Sequence, residues 1–375
     1  MRPAGFGDIE WDAASSTTTI HWHGEVPDGI RERIESLPTS VKVAPMEYSK
    51  DELAVEAKRV LEANRGVFEG AAANADGSGL TLTVSSAAKS RTQDVLSVDS
   101  KYPVAIEIGG ESSAAVDDRK YTPYAPYPGG AYIFNGGTSG YACTSGWPVM
   151  IEQPDPQRPA TYGMAFASHC ITHTQGDTWS TFPAPDGTRY FFGQASLSIY
   201  RDGSSDSAVL INNPAQSGIE DPVKIYYPYV FVGPSVGATR YIVTASDPGV
   251  TIGDFWCLSG APSGTTCNNQ IAESAYYADY GSEYPIAGPL VRTVNVTDSS
   301  VGQGDSGGPA HTVDADGDPF VEVTGIISGM VGGAPNTCRA NDDERLCSSI
   351  ALISPYWRVQ DTLAIHAMTA YNYTE

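Results

Sequence analysis

The sequence predicts a mainly β protein, a barrel or sandwich closed by a C-terminal helix and preceded by a small unit of mixed helix and strand. Three observations carry this. Glycine (39) and proline (26) are frequent and charged residues make up only 18% of the 375 positions, a mix that favours turn-rich β structure over long helices or disorder. Beyond the first third of the chain, short apolar segments recur between Gly/Pro turns. The first third differs in texture, with helical spacings set between strands.

In chain order, residues 17–23 alternate as a strand does. Residues 30–37 have helical spacing and follow Pro27-Asp28-Gly29, a start signal. Residues 40–45 read as a short strand. Ser49-Lys50-Asp51-Glu52 is a capping box, since Ser49 can accept from an N–H one turn on while Glu52 reaches back. The helix it opens, 50–63, places Leu53, Ala57, Val60 and Leu61 on one face. Segments 80–84 and 104–108 read as strands around a helix near 85–96. Residues 1–120 are thus expected to form an α+β unit, a small sheet with helices on one face.

Residues 121–130 read as a linker, because Pro123, Pro126 and Pro128 forbid regular structure there. Residues 131–375 form the β part, with strands at 190–192, 195–200, 208–211, 241–244 and 321–327. No long helical pattern returns until 355–369, the closing helix.

Net charge is −22, from 22 basic and 44 acidic residues, the wrong sign for a nucleic-acid binder. No apolar run is long enough to span a membrane. The six cysteines, Cys143, Cys170, Cys257, Cys267, Cys338 and Cys347, all lie in the β part. An even count with two close pairs points to disulfides and export, and the spacing fits no zinc pattern. The alternative is six buried thiols in a cytosolic protein. No signal peptide is visible after Met1, so an exported form is expected to have lost it.

Three segments carry chemistry. In Gly304-Asp305-Ser306-Gly307-Gly308-Pro309, glycines permit a tight turn that exposes a nucleophilic serine. The N–H groups of Gly304 and Ser306 are the candidate oxyanion donors. In Ala165-Phe166-Ala167-Ser168-His169-Cys170, His169 is the candidate base, with Cys170 positioned to fix its loop to Cys143; His173 competes without that anchor. Asp206, entering an apolar strand, is the candidate acid that orients the base, with Asp202 and Asp177 as rivals.

On these residues the chain resembles the chymotrypsin-like serine proteases, and within them the secreted bacterial branch of streptogrisins and α-lytic protease. Gly129-Gly130-Ala131-Tyr132-Ile133, Cys143-Thr144-Ser145-Gly146, Ser168-His169-Cys170, Asp206-Ser207-Ala208, Cys257-Leu258-Ser259-Gly260 and the Ser306 motif fall in that branch's order. The resemblance implies two six-stranded antiparallel β-barrels with the site between them. It implies His169 as base, Asp206 as orienter and Ser306 as nucleophile, acting without cofactor or metal on peptide bonds. It also implies disulfides Cys143–Cys170, Cys257–Cys267 and Cys338–Cys347, the last resting mainly on remainder and proximity. Ala-Ser before His169 departs from the Ala-Ala or Ala-Gly of relatives, and 147–165 and 270–300 look longer than in compact ones.

The resemblance places Ser300 at the base of the primary pocket, which suits apolar or aromatic P1 side chains; a two-residue gap would put Asp298 there and favour basic ones. Ser328-Gly329-Met330 resembles the strand that pairs with the bound peptide. Residues 1–120 resemble a pro-region that assists folding and blocks the site, cleaved between Asp118 and Gly129. The expected protein is therefore a secreted, monomeric zymogen whose partners are protein or peptide substrates and its own pro-region. A permanent accessory domain is the alternative for residues 1–120, and a catalytically silent binding module for the whole.

Other features read as structural. His21 and His23 share a strand face without a third metal ligand. Asp314, Asp316 and Asp318 alternate as in a calcium loop, but Pro319 stands where that motif needs glycine. Asn295-Val296-Thr297 is a glycosylation sequon.

Overall fold

A computed structural model describes residues 5–372 except 13–14, 38, 66, 69, 86–97, 110–111, 114–124, 136–141, 152–160, 173–177, 182–188, 200–204, 222–223, 236–237, 282–283, 315–317, 336–337 and 339–344. The expected helix near 85–96, Ser85 apart, and residues 121–124 of the expected linker lie outside these residues. Contrary to the expectation of irregular chain, Tyr127–Gly129 of that linker is a short strand despite Pro128, because Tyr226–Val230 offers it a parallel partner.

The N-terminal unit runs β1 (Phe6–Asp12), β2 (Thr17–His23), α1 (Asp28–Glu35), β3 (Val41–Met46), α2 (Lys50–Ala63), β4 (Gly70–Ala73), β5 (Leu80–Ser85), β6 (Val104–Gly109) and β7 (Ser112–Ser113). Helix α2 begins as its sequence dictates: Ser49 accepts from the Glu52 N–H and Glu52 reaches back to the Ser49 N–H. Its buried face, Leu53, Ala57, Val60 and Leu61, packs on Leu80, Leu82 and Val84 of β5. Burying each such leucine or valine stabilises by about 1.5–3 kcal/mol.

The next segment gives β8 (Tyr127–Gly129), β9 (Tyr132–Asn135), β10 (Ala142–Thr144), β11 (Pro148–Ile151), β12 (Thr161–Phe166), α3 (His169–Thr172), β13 (Thr178–Thr181), β14 (Phe191–Ile199), β15 (Ser207–Ile211) and α4 (Pro214–Ser217). Strands β9–β15 form one curled sheet, ordered β10-β9-β13-β14-β15-β12-β11, around Trp147, Phe166, Trp179 and Phe192.

The remainder gives β16 (Tyr226–Val232), β17 (Thr239–Ser246), β18 (Phe255–Gly260), β19 (Gly264–Ala278), β20 (Ala287–Asn295), β21 (Val301–Gly302), β22 (Pro309–Val313), β23 (Phe320–Val331), β24 (Ala334–Pro335), β25 (Leu346–Ser348), β26 (Ile350–Pro355), α5 (Tyr356–Leu363) and β27 (Ile365–Ala367). Here six antiparallel strands close a ring, β18-β19-β20-β26-β23-β22 and back to β18. Its interior holds Trp256, Leu258, Ile271, Val291, Ile327 and Ile353. The molecule is thus a mainly β double barrel, one ring closed and the other an open curled sheet, with a C-terminal helix.

That helix is shorter than its sequence pattern. The expected 355–369 ends at Leu363, because Ala364 turns left-handed (φ 52°). Residues Ile365–Ala367 then leave the helix to pair with Val149–Ile151 as the last strand of the curled sheet. No described helix is long and apolar enough to cross a membrane.

The N-terminal unit is joined to the closed barrel by backbone and core. Strand β4 pairs antiparallel with the end of β19, Ala72 opposite Tyr276 and Gly70 opposite Ala278. Ala275, Tyr277 and Ile286 of the barrel belong to the same apolar cluster as Leu53 and Val60. Lys50 bonds the buried Asp8 at 2.5 Å and also Ser274 of β19. Arg292 of the barrel stands 3.4 Å from Glu107 of β6 and 3.3 Å from Glu273.

Candidate active site

Strand β12 delivers His169 to the junction of the two sheets at the start of α3, and the Cys143–Cys170 disulfide ties that turn back to β10. Asp206 directly precedes β15, which pairs with β12, so sheet register alone sets base and acid side by side. His169 Nδ1 lies 2.6 Å from Asp206 Oδ2. Asp206 Oδ1 accepts from the His169 backbone N–H at 2.9 Å and from Ser168 Oγ at 3.0 Å. Ser328 Oγ, from the closed barrel, donates to Oδ2 at 2.7 Å.

Asp206 is fully buried, which by itself would push its carboxyl up; the adjoining imidazole and the donated hydrogen bonds outweigh burial and hold it below the usual range. An ionised carboxylate only accepts, so the proton between the two groups belongs to His169 Nδ1. A disulfide sulfur has no proton to give, so the 3.9 Å approach of Cys170 Sγ to Nε2 is a packing contact. The same bond removes Cys143 and Cys170 as metal ligands beside His169.

Ser306 lies in the turn between β21 and β22. Gly304 (φ 96°) and Gly307 (φ 91°) hold left-handed conformations that side chains resist. A Cβ at Gly307 would also strike the Thr144 carbonyl. The turn is stitched to the curled sheet, since Thr144 Oγ1 donates to the Gly304 carbonyl at 2.6 Å and Thr144 N–H to the Ser306 carbonyl at 2.8 Å. The N–H groups of Gly304 and Ser306 have no acceptor among the described residues. Ser306 Oγ is buried, and it too has no hydrogen-bond partner among them. The structure therefore bonds His169 to Asp206 but does not bond Ser306 to His169. A loose or unmade base–nucleophile bond is common in resting sites and tightens with substrate.

The other expected residues are placed as follows. Ser300 is buried and donates to Asn269 Oδ1 at 2.6 Å, whereas Asp298 is exposed at a turn. Ser328, Gly329 and Met330 lie on β23. Met330 is buried among Val301, Ile327 and Leu346, and its backbone faces Ser113 of β7, with Val331 opposite Ser112. Cys257–Cys267 and Cys338–Cys347 are bonded. His173, Asp177, Asp202 and Asp316 lie outside the described residues. His21 Nε2 contacts Glu10 at 3.2 Å. The sequon Asn295 is buried and donates to the Cys267 carbonyl.

Sequence reasoning missed four contributors. Thr144 and Ser168 had no distinguishing signal. Tyr280, whose ring centroid is 6.1 Å from that of His169, stands in the turn Asp279-Tyr280-Gly281, the only hint of a built loop. Arg345 lies within the Cys338–Cys347 loop, 3.7 Å from Asp305.

No protein-family model and no curated protein matches the chain. Among solved structures it is similar to a glutamic-acid-specific serine protease that uses a histidine triad in substrate binding (18% identity, TM-score 0.44, covering 64% of this chain and all of that one). It is also similar to the Nocardiopsis protease NAPase (19%, 0.43, 65% and 100%) and to the MamO protease domain of Magnetospirillum magneticum (13%, 0.29, 57% and 94%). Within this chain's own fold, the closed ring supplies Ser306 and Ser328, and the curled sheet supplies His169 and Asp206.

Proposed function

We propose that this protein is a serine endopeptidase made as a zymogen. The observation that carries the reading is the 2.6 Å bond from His169 Nδ1 to a buried, ionised Asp206, at the junction that also holds the Ser306 turn. In this reading Ser306 Oγ attacks the scissile carbonyl while His169 Nε2 takes its proton. The N–H groups of Gly304 and Ser306 hold the resulting oxyanion. Collapse expels the amine, which receives the proton from His169, and leaves an acyl-enzyme. Water, deprotonated by the same imidazole, hydrolyses the ester and restores Ser306.

The zymogen reading is supported by β7. Strand 328–330 is the edge on which a substrate backbone would pair, and Ser112–Ser113 occupies its end in antiparallel register. The burial of Ser306 agrees with a covered site. Cleavage between Asp118 and Gly129 would free the edge. Three disulfides support an exported protein. A buried, uncharged Ser300 with Asp298 exposed supports apolar or aromatic P1 side chains.

The deciding experiment is labelling with a fluorophosphonate before and after limited proteolysis, with Ser306→Ala as control. Labelling of Ser306 that rises after cleavage is expected. No labelling in either state would leave a silent binding module. A peptide-library profile dominated by Lys or Arg at P1 would overturn the apolar assignment.

A further inference from the structure

The hydrogen bonds around Asp206 do not end at Ser328. Tyr280 Oη lies 2.9 Å from Ser328 Oγ. A hydroxyl carries one proton, and that of Ser328 is committed to Asp206 Oδ2 at 2.7 Å. Ser328 can therefore only accept from Tyr280, which fixes the direction of the chain: Tyr280 to Ser328 to Asp206, with His169 Nδ1–H donating to the same carboxylate oxygen. Burial, and after it the charge of Asp206, pushes the Tyr280 phenol well above its usual range, so it remains a donor wherever the enzyme works.

The fold is shaped for this reach. Gly281 N–H bonds Asp279 Oδ1 at 2.9 Å, and Gly281 takes a left-handed φ of 106°, turning the chain sharply after Tyr280. The phenol lies over Gly329, where a Cβ would come within 2.7 Å of its hydroxyl, so only glycine lets the ring pass to Ser328. Tyr284, from the same loop, sets its ring edge-on to His169 at 6.2 Å between centroids.

We propose that Tyr280 is a positioning residue that holds the Ser328 proton on Asp206 and thereby sets the basicity of His169. The proposal rests on the protease reading of His169, Asp206 and Ser306. Each hydrogen bond donated to the carboxylate spreads its charge, and the chain polarises as a unit. Without the phenol, Asp206 keeps more negative charge and the imidazole binds its proton more readily.

The test is Tyr280→Phe in the activated enzyme. Its kcat should fall about threefold to tenfold with KM little changed. The acid limb of kcat/KM should move to higher pH by roughly half a unit. The proton NMR resonance of His169 Nδ1–H should shift in the unreacted protein. Tyr280→Leu, which lacks ring and hydroxyl alike, should move the limb equally, and in a Ser328→Ala background Tyr280→Phe should add nothing. An unchanged acid limb and an unchanged resonance overturn the proposal. So does a shift by Tyr280→Leu alone, which assigns the effect to ring packing. A wild type that neither hydrolyses peptides nor takes a fluorophosphonate sinks the protease reading, while the resonance still decides the hydrogen-bond chain by itself.

Discussion

The Arg345 guanidinium stands 3.7 Å from the carboxylate of Asp305, and both are buried. Asp305 immediately precedes the proposed nucleophile and accepts from the Gly302 N–H at 2.6 Å and from Ser263 Oγ at 2.5 Å. Gly260 makes the room, since a Cβ there would collide with the carboxylate. Arg345 is held in turn by its Nε, which donates to the Gln303 carbonyl at 2.9 Å. Burial raises the Asp305 carboxyl above its usual range despite the nearby guanidinium and the hydrogen bonds that pull it back.

Removing Arg345 leaves a buried carboxylate without its counter-charge. Arg345→Met is expected to cost about 3–5 kcal/mol of stability, read by urea unfolding near neutral pH. Because the pair braces the turn that carries Gly304 and Ser306, residual activity should fall with it. A variant as stable and active as wild type would show the pair to be dispensable.

Asp206→Asn should lower kcat about 10⁴-fold near neutral pH, because the amide can donate to Nδ1 and so favours the wrong tautomer. Ser306→Ala and His169→Ala should be comparably inactive. Adding His169→Ala to Ser306→Ala should cost almost nothing more, since residues that act as a unit are not additive.

Much of this was legible locally. The Ser49–Glu52 box set the start of α2, and the alternation at 17–23 matched β2, because both signals reside in neighbouring side chains. The His169, Asp206 and Ser306 segments stood out for the same reason. Strand β4 did not: Gly70-Ala71-Ala72-Ala73 has no strand preference and is extended because Tyr276–Ala278 offers it a partner. The end of α5 was equally hidden, since 365–367 becomes a strand only by meeting β11. Tyr280 and Arg345 reach the site from loops distant in sequence, so no spacing could announce them.

Glu56 ties stability to pH. A hydrogen bond from Arg59 first, then the Lys101 N–H and both positive charges, hold its carboxyl at about 2, against 4.5 for an ordinary glutamate, although burial opposes this. A lowered folded value contributes stability that is complete above the unfolded value and is lost as pH falls from about 4.5 toward about 2. Glu56→Gln should therefore lower Tm near pH 7, and the gap to wild type should close across that acid window. A gap independent of pH would refute the assignment.

Ser113→Pro should loosen the cover over the proposed peptide-pairing edge, because a proline ring is poorly tolerated within the antiparallel pairing of Ser113 with Met330. The uncut variant is expected to label with fluorophosphonate faster than uncut wild type. Equal rates would mean that β7 does not limit access to Ser306.

The pairing of β4 with β19 has a practical consequence for anyone producing this protein. A chain begun at Ala125 would lack the strand that covers Tyr276–Ala278 and the helix that covers Tyr277 and Ile286. What remains is an unpaired sheet edge flanked by apolar side chains, a template for edge-to-edge self-association between identical molecules. Supplying residues 1–113 as a separate polypeptide during refolding should suppress that precipitation, with light scattering as the readout.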